Sequence, residues 1–288
     1  MSEIVSAAIP AQKSGLPWGH WGRQVLSVLR LELKKGFRRP FGLYLLAAAP
    51  VLIALLRLLI SHGERVVDDP TDMAEATLIF AAMYQGFVLR IVIFLACVAI
   101  FGNLIRREML DRSLHYYFLS PIRRELLVVG KYLTGLLVSV TLFTATTVAT
   151  FFLSYAPYDS MAVRQYFSSG PGLGHLASYL LVTVLACVGY GAVFTVFGFF
   201  FKSPAIPALA VFGWEGILFL LPPLLKKASV FYYLQSLCPV PMDEGPLALL
   251  ADAPSPWVAV PGLLLFAAIL VALSAFRIRG MEVKYEEE

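Results

Sequence analysis

Residues 175–201 read HLASYLLVTVLACVGYGAVFTVFGFFF and contain no Asp, Glu, Lys or Arg. A helix of this length can cross a bilayer, because the hydrocarbon core is about 30 Å thick and about 20 apolar residues span it. The rest of the chain has the same character: of its 288 residues, 59% are hydrophobic and only 15% are charged, with a mean hydropathy of +0.76. Soluble domains carry about a quarter charged residues. The composition therefore predicts an all-α integral membrane protein.

Working outward from this stretch, apolar runs of similar length recur along the chain. We predict a membrane domain over 41–276, preceded by the flexible segment 1–17 and followed by the tail 277–288. The six predicted transmembrane helices are 41–60, 77–104, 127–154, 175–201, 205–225 and 257–276.

The segment 18–40 differs from the spans, because Leu, Val and Trp positions alternate with Arg and Lys. Such a basic amphipathic helix is typical of the interface, where it lies in the headgroup layer and meets anionic membrane lipids. A solvated basic tail is the alternative.

Basic residues predict the orientation of the spans. Most of the 23 Lys and Arg residues fall in the N-terminal segment, between spans 2 and 3, or after span 6. Cytoplasmic loops carry an excess of these residues, and an even number of spans places both ends on one side. Both termini are therefore predicted to be cytoplasmic. The basic residues of the opposite side are Arg57, Arg65, Arg164, Lys226 and Lys227.

Proline interrupts the apolar sequence between spans 5 and 6. The region 222–256 is too broken for one straight helix, yet Val230-Phe-Tyr-Tyr-Leu234 is too apolar for an ordinary aqueous loop. We predict a broken or re-entrant element on the outer side, where protein or a water-filled cavity must satisfy the free backbone groups.

The connection between spans 2 and 3 reads, over 101–131, FGNLIRREMLDRSLHYYFLSPIRRELLVVGK. A polar cluster over 106–112 follows the end of a span, and apolar or aromatic residues recur at helical spacing from Leu110 to Phe118. A short amphipathic helix of this kind can hold one face to the membrane and present its polar edge to a soluble partner. Pro121 separates this helix from the next, because proline disfavours a helical conformation in the residue before it.

This stretch resembles the permeases of ABC transporters of the ABC-2 type, and the six-span layout with an N-terminal interfacial helix is similar over most of the chain. The resemblance implies that the stretch is the coupling helix, which sits in a cleft of a separate ATPase subunit, with Glu108 as the central polar contact. The implied coupling and ATPase-contact residues are Arg107, Glu108, Asp111, Arg112, Leu114 and Tyr117.

The resemblance also implies a function: the permease subunit of an ATP-driven exporter, in the cytoplasmic membrane of a bacterium. Its translocation path would lie between this chain and a second copy or a related permease. The permease itself would perform no catalysis and bind no cofactor, since ATP and Mg would bind the partner ATPase.

Three polar residues are predicted inside the membrane: Gln85 and Arg90 in the second span, and Glu215 in the fifth. Charges at this depth are costly and mark functional positions by default. Arg90 and Glu215 either pair with each other or are buried separately against backbone or water.

Several function classes lack their motifs. No GxxxxGK[ST] sequence is present, so the chain has no phosphate-binding loop of that type. No metal-ligand spacing occurs in the spans, and the basic charge fits membrane topology rather than nucleic-acid binding. The alternatives that stay open are a membrane scaffold or assembly subunit without transport, and an ion-coupled secondary transporter.

Overall fold

A computed structural model describes residues 18–36, 41–61, 70–104, 124–158, 160–201, 203–218, 221–227, 229–241 and 254–278. Across these ranges the regular elements are helices, and no strand occurs in them, so the all-α prediction is confirmed for this part of the chain. In chain order the elements are α1 (Trp18–Gly36), α2 (Phe41–Ser61), α3 (Pro70–Met83), the π-helix π1 (Tyr84–Ile93), α4 (Phe94–Phe101), α5 (Arg124–Tyr155), α6 (Ser160–Ser168), α7 (Gly172–Phe200), α8 (Ala205–Gly216), α9 (Pro223–Lys226), α10 (Val230–Ser236) and α11 (Pro256–Arg277).

Among the described helices, five are long and apolar enough to cross a membrane, as expected for an integral membrane protein. The second of them is continuous through α3, π1 and α4. Their spans are Gly42–Ile60, Met73–Phe101, Glu125–Tyr155, Gly172–Phe200 and Pro256–Arg277.

The predicted fifth span, 205–225, is not one membrane-length helix. α8 has 12 residues, which is about 18 Å at 1.5 Å per residue, against about 30 Å of hydrocarbon. The next helix, α9, begins only at Pro223, with Pro222 before it. Proline lacks an N–H group and clashes with the preceding turn, so this pair cannot continue a helix. The six-span count is therefore not confirmed.

The N-terminal helix α1 packs on the beginning of α5. Val28 is buried against Gly130, where an added Cβ would lie 2.9 Å from the Val28 side chain. One turn further, the Lys131 ammonium group donates to the Glu32 carboxylate at 3.0 Å. The predicted helix is thus present, and its place in the headgroup layer stays a prediction.

At the centre of the bundle lies α7, which packs against α4, α5 and α11. In the most apolar stretch of α7, 61% of the residues are buried, compared with 22% in the corresponding stretch of α2 at the periphery. The small residues of α7 permit this: an added Cβ at Gly189 would lie 2.9 Å from Val230.

Side-chain contacts identify the two ends of the bundle. At the end that carries α1, the Arg277 guanidinium lies over the Phe200 ring, 5.6 Å from its centre. At the other end, here the His175 end, the Tyr166 hydroxyl and His175 Nδ1 are 2.8 Å apart. Since α7 and α11 both finish at the α1 end, these two helices run in the same direction.

Some predicted segments lie outside the described residues. These are the flexible N-terminus 1–17, residues 279–288 of the C-terminal tail, and residues 105–123, which include the whole predicted coupling helix.

Candidate functional site in the membrane

Glu215 lies in the last turn of α8, and only 2% of its surface is exposed. Three groups donate hydrogen bonds to its carboxylate, one from α7 and two from the start of α10. The Tyr190 hydroxyl donates to Oε2 at 2.7 Å. The Ser229 hydroxyl and the Phe231 main-chain N–H donate to Oε1 at 3.0 and 3.2 Å. One buried carboxylate therefore joins α7, α8 and the start of α10.

Arg90 reaches the same residue from the second long helix. Its guanidinium donates to the main-chain carbonyl of Glu215, and it lies over the Phe231 ring, 5.2 Å from the centre. The two predicted intramembrane charges are thus in contact, but through the main chain of Glu215, while the direct donors to its carboxylate in the described structure are neutral groups. Cation–π contact and a hydrogen bond together stabilise a guanidinium away from water.

The π-helical segment explains why Gln85 and Arg90 lie on one side of the helix, toward the region between α8 and α11. Five residues make nearly one and a half turns of an α-helix but about one turn of a π-helix, whose hydrogen bonds join residues i and i+5. Gln85 accordingly donates to the carbonyl of Val240 at 2.8 Å, just beyond α10. Gln85 and Arg90 therefore both contact the region between α8 and α11.

We call Gln85, Arg90, Tyr190, Glu215 and Ser229 the polar node. Its contacts fix a broken segment of chain against two continuous helices. They leave one buried acceptor, the Gln85 side-chain oxygen, without a hydrogen-bond partner among the described residues. No group of three or more His, Cys, Asp or Glu side chains suited to a metal occurs in the described residues.

A groove lies beside the polar node, between α7, α8 and α11. Its larger lobe has a volume of about 250 Å³ and is bordered by Val211, Trp214 and Leu270. A smaller lobe of about 130 Å³ is bordered by Lys227 and Gly262, and the two lobes share Ser229, Val230 and Phe266. The larger lobe is lined mainly by apolar side chains, and the Glu215 carboxylate at its border is capped by donors.

The predicted coupling residues Arg107, Glu108, Asp111, Arg112, Leu114 and Tyr117 lie outside the described residues. The helix end that leads into them is described. The Phe101 ring occupies a notch between two glycines, since an added Cβ at Gly135 or at Gly191 would lie 2.8 Å from it. Next to it, an added Cβ at Gly198 would lie 2.8 Å from the carbonyl oxygen of Gly102. We call this close packing of α4 on α5 and α7 the glycine notch.

Sequence reasoning missed Tyr190 and Ser229 as partners of Glu215. Nothing in the sequence distinguishes Tyr190 from the other aromatic residues of its helix, although a buried tyrosine hydroxyl usually finds a partner. It also missed a row of hydroxyls at the His175 end, where Tyr155 lies 3.4 Å from Tyr166 and 3.5 Å from Thr77. An unpaired intramembrane glutamate in the sequence was the available signal for such donors.

Comparison with known proteins places these features in a family. The family model described as "ABC-2 family transporter protein" matches residues 28–214, which include α2, the polar residues of π1 and all but the end of α8. A search of curated proteins found no match.

Proposed function

Because the chain belongs to the ABC-2 family of transporter proteins, we propose that this membrane permease is the exporting half of an ABC transporter driven by a separate ATPase subunit. The family match over 28–214 carries the proposal, since it runs through the predicted coupling segment and four of the five long helices. ATP and Mg would bind the partner subunit. A second copy, or a related permease, would complete the translocation path.

The directions of α7 and α11 support a sixth crossing of the membrane as part of this proposal. α7 and α11 run in the same direction, with Arg277 at the end of α11 lying over Phe200 at the end of α7. The chain between them must therefore return from the α1 end to the His175 end. We assign this return to α8, α9 and α10, which together form a broken passage held by the polar node. An even number of crossings would put both termini on one side of the membrane, in agreement with the cytoplasmic orientation that the basic residues predict.

The glycine notch offers a route for coupling. Phe101 lies four residues before the segment 105–123 and contacts both α5 and α7. A displacement of the coupling helix would move Phe101 against α5 and α7 together, because its ring packs closely on Gly135 and on Gly191. α8 begins beside the same notch, where Pro204 lies 2.8 Å from an added Cβ at Gly102.

We propose that the polar node carries this movement to the broken passage. Displacing α4 relative to α7 would alter the positions of Arg90 and Tyr190, which both bind Glu215. Donors from several elements bind the one carboxylate of Glu215, and few other arrangements would satisfy all of them. The segments of the broken passage would therefore move together.

The test is ATPase activity of the chain purified from its native membrane with its bound subunits. Glu108→Ala is expected to lower permease-stimulated ATP hydrolysis about tenfold, the loss of one charged hydrogen-bonded contact. Glu75→Ala is the matched control, because Glu75 is an exposed carboxylate in α3, near the His175 end. Equal activity of the two variants would contradict the coupling role. A chain that copurifies with no ATPase would favour the scaffold instead.

A further inference from the structure

We propose that the groove between α8 and α11 binds one acyl chain of an anionic phospholipid, with Lys227 contacting the headgroup. The groove belongs to this chain alone, so the proposal does not depend on the ATPase partner or on transport.

The dimensions of the groove match one leaflet. Gly262, at the Lys227 lobe, lies six residues into α11, or about 9 Å from its beginning at 1.5 Å per residue. Leu270, at the far lobe, lies about 12 Å deeper by the same rise. One leaflet contributes about 15 Å of hydrocarbon. The groove therefore runs along the membrane normal, from near the His175-end surface toward the middle of the bilayer.

The position of α11 relative to that surface agrees with this depth. Trp257, one residue after α11 begins, has 89% of its surface exposed. Tryptophan is enriched at the level of the lipid headgroups. A lysine side chain about 9 Å below this level can extend its ammonium group to the headgroups while its methylene groups stay in apolar surroundings.

The charges favour an anionic lipid. Lys227 is exposed at the rim of the smaller lobe, and it has no hydrogen bond or ion pair within the described residues. Among the described residues that line the groove, the one acidic side chain is Glu215, which is buried and capped by three donors. An incoming acyl chain would thus meet valine, phenylalanine and tryptophan side chains, while the phosphate would meet a lysine.

Trp214 provides the readout, because it borders the larger lobe. In the full-length chain with Trp18, Trp21 and Trp257 replaced by phenylalanine, bromine on a lipid chain in the groove would quench the remaining fluorescence. The protein is reconstituted into phosphatidylcholine vesicles with rising amounts of brominated phosphatidylglycerol, or of brominated phosphatidylcholine in a parallel series.

We expect half-maximal quenching at about a fivefold lower mole fraction of the anionic lipid, the preference that one lysine near a headgroup provides. Lys227→Ala should remove this preference, whereas Arg164→Ala, an exposed arginine of α6, should retain it. Equal quenching by both lipids in the unmodified groove would overturn the proposal.

A second variant tests the groove itself. Val211→Phe fills the larger lobe and is expected to weaken quenching by both lipids. Unchanged quenching in this variant would mean that the bromines act from outside the groove, and an absence of quenching by either lipid before substitution would mean that another protein surface covers it. Both results would overturn the assignment.

Discussion

Replacing Glu215 with leucine is expected to lower the free energy of unfolding by about 3–5 kcal/mol. Leucine preserves most of the volume but removes the acceptor for the Tyr190 hydroxyl, the Ser229 hydroxyl and the Phe231 N–H. Each buried donor left without a partner costs about 1–3 kcal/mol, and partial rearrangement keeps the sum below the maximum. The effect should be large because no bulk water reaches a site with 2% exposure.

The measurement is thermal denaturation of the purified protein, monitored as the fraction of protein that stays monodisperse after heating. Glu215→Gln is the informative companion, since its amide oxygen can still accept from one side while its NH₂ group faces former donors. We expect Glu215→Gln to lower the free energy of unfolding by roughly half as much as Glu215→Leu. Glu75→Leu, at an exposed position, controls for the loss of a carboxylate as such. If the Glu215→Leu and Glu75→Leu variants denatured at the same temperature, the polar node would not stabilise the bundle.

Replacing Gly191 with alanine is expected to destabilise the protein by about 2–3 kcal/mol through overpacking of the glycine notch. The added methyl group would lie 2.8 Å from the Phe101 ring, and an added Cβ at Gly135 would approach the same ring at the same distance. Gly174→Ala on the same helix is the matched control, because nothing lies within 4 Å of an added Cβ there. Alanine at that position should be neutral or stabilising by up to about 1 kcal/mol through helix propensity.

A second substitution tests whether Phe101 is the cause. In the Gly191→Ala background, Phe101→Leu should restore part of the lost stability, although Phe101→Leu alone should destabilise. The two changes would then be strongly non-additive, as for residues in direct contact. Additive losses would show that the ring and the glycine act independently, and would remove the physical basis for coupling through the notch.

The sequence was sufficient to predict the long apolar helices and the amphipathic α1, because each depends on periodicity and composition within one segment. It also identified Arg90 and Glu215, since charges are rare within apolar runs. It left open whether these two residues pair, and it could not predict the donors to the Glu215 carboxylate. Tyr190 donates from α7 and Ser229 from beyond α9, and nothing in local sequence states which helices are neighbours. The register of π1, which turns Gln85 and Arg90 to one side, is likewise a property of backbone hydrogen bonding.

The predicted fifth span does not coincide with one continuous helix, because hydropathy counts apolar residues without regard to where a helix ends. Residues 205–225 are apolar enough, yet α8 stops at Gly216. The proline pair at 222–223 was a visible stop signal, yet the predicted span 205–225 ran through it. The coupling residues remain predictions, since they lie outside the described residues.

The proline pair also bears on how a bilayer tolerates an interrupted helix. Every amide N–H withdrawn from water must find an acceptor, and unmatched ones are costly in hydrocarbon. Pro222 and Pro223 have no N–H to match, while the carbonyl of Pro222 accepts from Leu225 and Lys226 at 2.9 and 3.2 Å. The amide of Phe231 finds its acceptor in the Glu215 side chain. The two prolines at the start of α9 therefore reduce the number of amide groups that the membrane interior would otherwise leave unsolvated.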